Sequence, residues 1–106
     1  MSNSLFYYQQ GDVLIATVES IPEDAKRLNS NVLQEGEHTG HAHRLDDNEA
    51  FQIFETPAKK KYLRVVKPVG LLHEEHKRQV LQPGDYSISI VREFDHFEKM
   101  VRKVID

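Results

Sequence analysis

The chain has 106 residues, 39% apolar and 29% charged, and fourteen Lys and Arg against seventeen Asp and Glu leave a net charge of −3 at pH 7. This suits a single domain with a sizeable core, and it speaks against intrinsic disorder, a membrane protein and the wrapping of nucleic acid through bulk charge, while leaving room for a local basic patch. With no cysteine, disulfides, thiolate zinc sites and cysteine nucleophiles are excluded, so any metal must be held by His, Asp or Glu.

Met1-Ser2-Asn3-Ser4 has no basic n-region and leads into no long apolar run, which predicts a cytoplasmic protein without a membrane partner. From there apolar residues recur mostly with a period of two, the strand signal. Residues 6–18 open with aromatics, pass a Gly11-Asp12 turn and continue as a β-rich stretch buried on both faces or nearly so. Residues 20–30, with Pro22, Asp24 and Asn29, predict a connection with room for one helical turn after Pro22. Residues 31–35 and 40–45 predict short strands. Residues 50–56 alternate around Phe51 and Ile53 until Pro57 stops them, and residues 59–67 return as the partner strand of a hairpin across Pro57-Ala58-Lys59. After Gly70 comes a second histidine window, then a tight Gln82-Pro83-Gly84-Asp85 turn, then residues 86–94 with Tyr86, Ile88 and Ile90 on one face. The tail from Asp95 fits a short helix, given the capping-box spacing of Asp95 and Glu98, or a strand paired with residues 86–94, and we favour the strand. Seven or eight short strands predict a mainly β fold, a small single-domain antiparallel β-barrel or sandwich over residues 1–106.

Five of the six histidines fall in two windows. The first is Gly36-Glu37-His38-Thr39-Gly40-His41-Ala42-His43-Arg44, where strand alternation sets His41 and His43 on one face and Gly40 lets the chain bend to bring His38 round. The second is His73-Glu74-Glu75-His76, whose histidines share a face in a helix or meet across a tight turn. Imidazole without thiolate suits Zn, Fe or Ni. The leading expectation is therefore a divalent transition metal held by His41, His43, His73 and His76, with His38 as a fifth ligand or supporting group. If the chain is an enzyme, Glu74 or Glu75 is the candidate base and Arg44 the charge stabiliser for hydrolysis or oxygen chemistry on a small-molecule substrate. His96 reads as a turn residue, and Asp12 and Asp85 likewise.

Two other readings stay open. Lys59-Lys60-Lys61 with Arg64 and Lys67 could follow phosphates while Tyr62 stacks on a base, and with His38 and His41 this gives a metal-independent ribonuclease or RNA-binding module. Alternatively, Tyr7, Tyr8 and edge strands could make a non-enzymatic homodimer.

His41-Ala42-His43 with a later Pro-Gly turn resembles the metal motifs of cupins, small β-barrels that hold Fe, Zn, Ni or Mn. That resemblance carries over to His41 and His43 only, because Glu49 comes later than the acidic position of that family and no histidine follows Pro83-Gly84-Asp85. Residues 36–44, Val66-Lys67-Pro68, His73-Glu74-Glu75-His76 and Leu81-Gln82-Pro83-Gly84-Asp85-Tyr86 together resemble a group of small uncharacterised bacterial and phage proteins over nearly the whole chain, which implies no activity. Gly11-Asp12-Val13-Leu14 is similar to the first strand of SH3-like toxin ribonucleases over four residues.

Overall fold

Period-two patterning becomes strand almost throughout residues 7–35 and 41–90, the residues that this computed structural model describes. In chain order they are β1 (Tyr7–Gln10), β2 (Val13–Thr17), β3 (Lys26–Leu28), β4 (Val32–Glu35), β5 (Ala42–Leu45), β6 (Phe51–Glu55), β7 (Lys61–Val65), β8 (Val69–His73), β9 (His76–Leu81) and β10 (Gly84–Ile90). Six strands form one sheet in the order β1-β2-β10-β7-β6-β3 and four form another in the order β4-β5-β8-β9, with antiparallel pairing throughout. The described residues contain no helix, and none is long and apolar enough to cross a membrane.

Among the described residues the strands form two antiparallel sheets and no closed barrel, which of the two expected architectures suggests the sandwich-like one. Inward residues alternate along each strand: Val13, Ile15, Ile53, Leu63, Val65, Tyr86 and Ile88 come from the six-stranded sheet, and Leu33, Leu45, Val69, Leu71 and Leu81 from the four-stranded one. Each such side chain removed from water contributes roughly 1.5–3 kcal/mol. Residues 20–30 are not only a connection. Pro22 starts a β-turn closed by the Ala25 N–H on its carbonyl (3.2 Å) rather than a helical turn, and β3 then pairs with β6. The tail from Asp95, with its helix or strand, lies outside the described residues.

No ladder joins the sheet edges β1 and β9, yet glutamine side chains bridge them. Gln10 Nε2 donates to the carbonyls of Leu71 (3.0 Å) and Lys77 (2.9 Å), and Gln79 Nε2 donates to the Gln9 carbonyl (2.8 Å). A register shift between Leu71 and His73 in the β8–β9 ladder sits beside this seam. Bulges of this kind leave ladder groups unpaired and re-aim side chains, and here the Gln10 amide takes up two carbonyls next to the irregularity.

Candidate metal centre at the histidine cluster

The two histidine windows meet because β5 pairs with β8 in the register Arg44↔Leu72, Leu45↔Leu71. Continued toward the start of β5, that register sets His43 opposite His73 and His41 opposite Glu75. The second window is a hairpin: Glu74-Glu75 is the turn, and His73 and His76 face each other as a cross-strand pair. The tight-turn alternative, not the helical one, is realised.

Four imidazoles therefore stand together. Ring centroids lie 5.6 Å apart for His41 and His73, 4.2 Å for His43 and His73, 4.7 Å for His73 and His76, and 6.1 Å for His43 and His76. His73 is the hub, since every other ring of the four lies against it. Burial, together with the nearby His76 and His41 and against the pull of Glu74 and Glu75, lowers its pKa below the ordinary histidine value, favouring the neutral form. The Glu75 N–H donates to His73 Nδ1 at 3.0 Å, so the proton of the neutral ring sits on Nε2.

The two turn carboxylates differ. Glu74 Oε2 lies 2.6 Å from Arg44 Nη2, and its Oε1 accepts the Ala42 N–H at 3.0 Å. The Arg44 hydrogen bond, then the backbone N–H groups of Ala42 and of Glu74 itself, lower the Glu74 pKa to about 2. Glu74 is thus a standing anion, suited to anchor or ligate more than to shuttle protons near neutrality. Glu75, two-thirds exposed, places Oε2 3.6 Å from His41 Nδ1. His41, His73 and Glu74 each offer one ligand atom, all within 4.8 Å of one another.

The β1–β2 turn, which the sequence marks chiefly as a turn, closes the inner side. Gly11 has φ +60°, and a Cβ there would approach His76 Nε2 to 2.6 Å, so the backbone favours glycine and any other residue would push the His76 ring aside. Gln10, fully buried, places Oε1 2.8 Å from Nδ1 of the buried His43, while Asp12 Oδ1 lies 3.7 Å from His43 Nε2. The one sequence signal for Gln10 was an amide where strand alternation continues into the core. Asp12 gave none beyond its place in the turn.

His38, expected as a fifth ligand or supporting group, and His96 lie outside the described residues. Glu49 sits in an exposed turn, its N–H on Asp47 Oδ1. Of the basic run, Lys60 and Lys61 direct their ammonium groups to the carbonyls of Ile88 and Leu33 (3.3 Å each), Arg64 pairs with Asp85 at 3.0 Å and Lys67 with Asp47 at 3.9 Å.

A family model described as "Domain of unknown function (DUF8820)" matches residues 9–91. No curated protein and no solved structure matches the chain.

Proposed function

The chain belongs to the DUF8820 family of domains of unknown function, and from that premise we propose that it is a metal-binding module holding one divalent transition ion where β5 meets the β8–β9 hairpin. The observation that carries this reading is the convergence of His41, His73 and Glu74 within 4.8 Å, backed by the rings of His43 and His76. Two or more imidazoles with a carboxylate suit Zn, Fe or Ni and not Ca or Mg. Such a ligand set leaves a coordination position for water or substrate, the arrangement of hydrolytic and oxygen-handling centres, with Glu75 as the carboxylate able to accept a proton.

The test is elemental analysis of protein purified without a nickel column, paired with melting curves of metal-free and reloaded protein. About one ion per chain is expected, with a stabilisation of about 2.7 kcal/mol at a free ion concentration one hundred times Kd. The double variant His41→Ala/His73→Ala should lose both. Metal-free protein whose melting ignores added Zn, Fe and Ni would refute the reading.

A further inference from the structure

We propose that the β1–β2 turn is a working part of the centre: Gln10 is a positioning residue that presents His43 Nε2 for coordination, and Asp12 is the oxygen ligand facing that nitrogen. This rests on reading the histidine cluster as a metal centre.

The first step is an accounting of one amide. Gln10 has two N–H donors and one carbonyl oxygen, and it is fully buried. Its nitrogen faces two backbone carbonyls, Leu71 and Lys77, each within 3.0 Å. The reversed orientation would set oxygen against oxygen twice, so the side chain is fixed by partners it cannot exchange. Its Oε1 then has one role toward His43 Nδ1 at 2.8 Å, that of acceptor. His43 must therefore carry a proton on Nδ1 whether the ring is neutral or charged. Nε2 is the nitrogen whose lone pair can serve a metal.

Metal-bound imidazoles generally donate their other N–H to a fixed acceptor, which sets tautomer, orientation and basicity. Gln10–His43 has that form, and in a buried setting where a mispaired amide would be costly. The acceptor is also tied to both strands of the hairpin that carries His73 and His76. One side chain thus holds the His43 ring and the strands bearing the other two rings in mutual register.

The second step is a distance. Asp12 Oδ1 and His43 Nε2 are 3.7 Å apart, too far for a hydrogen bond. Two donors each about 2.1 Å from a common ion stand about 3.4 Å apart at the tetrahedral angle, so this pair has the spacing of two ligands of one metal, although it stands outside the His41–His73–Glu74 group that converges within 4.8 Å and would have to draw in toward it on binding. Asp12 is largely exposed, placed by Gly11, whose missing Cβ also admits His76. Gln10, Gly11 and Asp12 thus contribute an acceptor, a space and a ligand in three consecutive residues.

The test combines imidazole nitrogen NMR of metal-free protein with cobalt(II) titration followed by the visible d–d band. Long-range proton–nitrogen correlations should find His43 protonated on Nδ1, and protonation on Nε2 would overturn the positioning role. Gln10→Leu should release His43 into a mixture of tautomers and weaken cobalt(II) binding about 10- to 100-fold. Asp12→Asn, on an exposed side chain that does not threaten folding, should weaken binding and shift the band, so the proposal stays decidable if Gln10→Leu fails to fold. Unchanged affinity and an unchanged band in Asp12→Asn would overturn the ligand role. If the unaltered protein takes up no cobalt(II), the metal reading and Asp12 as ligand fall together, while the metal-free spectrum still decides whether Gln10 sets the His43 tautomer.

Discussion

Arg44 Nη2 and Glu74 Oε2 stand 2.6 Å apart, joining β5 to the β8–β9 turn by charge while the other Glu74 oxygen holds the Ala42 N–H. Glu74→Ala is expected to speed hydrogen exchange at the Ala42 amide about tenfold, the scale of one charge-assisted bond. Because the Glu74 pKa is lowered from 4.5 to about 2, the pair contributes fully above pH 4.5 and is lost as pH falls toward 2. Exchange followed from pH 6 to pH 3 should thus retain partial protection at the acid end in the unaltered protein and none in the variant.

Metal uptake through His73 has a local cost that NMR can follow. The Glu75 N–H occupies Nδ1, and coordination by either nitrogen displaces it: Nδ1 would bind the ion directly, and coordination by Nε2 would require a proton on Nδ1. On addition of Zn, the Glu75 amide should show one of the largest shifts in the β8–β9 hairpin. A Glu75 amide that does not move while the ion binds would remove His73 from the ligand set.

Gly70 holds a second constraint. Its N–H donates to Asp46 Oδ1 at 2.9 Å, Arg78 grips Asp46 Oδ2 through Nε and Nη2, and a Cβ at Gly70 would run into both side chains. Gly70→Ala should destabilise by about 1–3 kcal/mol in urea unfolding. Burial works to raise the Asp46 pKa, but the Gly70 N–H and Arg78 outweigh it and the net shift is downward. Its contribution is therefore present above pH 3.8 and fades below. Arg78→Ala should flatten that acid limb by at most about 1 kcal/mol, since the pair is partly exposed.

Tyr86 is expected to contribute to alkaline unfolding. Its phenol is buried, donates to the Gln82 carbonyl at 2.6 Å and stands beside Tyr8, and burial followed by that neighbour raises its pKa above the usual 10. The unfolded chain ionises first, so stability should decline as pH rises above 10. Tyr86→Phe should cost about 1 kcal/mol at neutral pH and weaken the alkaline decline. An equally steep decline in both proteins would assign it to other groups.

Lys59 closes the β6–β7 hairpin at φ 71°, where its N–H reaches the Thr56 carbonyl at 2.8 Å. A side chain in the left-handed region costs about 1–2 kcal/mol, partly offset by the greater freedom of glycine in the unfolded chain. Lys59→Gly should therefore raise stability by up to about 1 kcal/mol, read as a higher midpoint in urea.

Alternation made much of this architecture legible: Phe51 and Ile53, Leu63 and Val65, and Tyr86 and Ile88 face inward as their spacing requires. What alternation does not encode is which strands share a sheet, and here short connections carry the chain from one sheet to the other, as at residues 82–83 between β9 and β10. β3 escaped notice because Lys26-Arg27-Leu28 has no apolar repeat and is strand only through its partner β6. The histidines declared themselves by spacing, and the β5–β8 register explains why both windows meet. Gln10 and Asp12 could not be recognised in that way: one amide and one turn aspartate acquire meaning only when β1 is laid against β9, a relation carried by tertiary contact.

The glutamine seam also joins parts of the chain that lie far apart in sequence. Gln10 and Lys77 are 67 residues apart, and Gln79 and Gln9 are 70 apart, so these bonds close nearly the longest loops the described chain contains. Such closures give up chain entropy before they return contact energy, which places them late. The β5–β8 and β8–β9 pairings that gather the four imidazoles span shorter stretches of chain, so the rings can meet before the seam sets Gln10 against His43. The seam thus fixes the last ring orientation in a cluster that shorter-range pairing has already brought together.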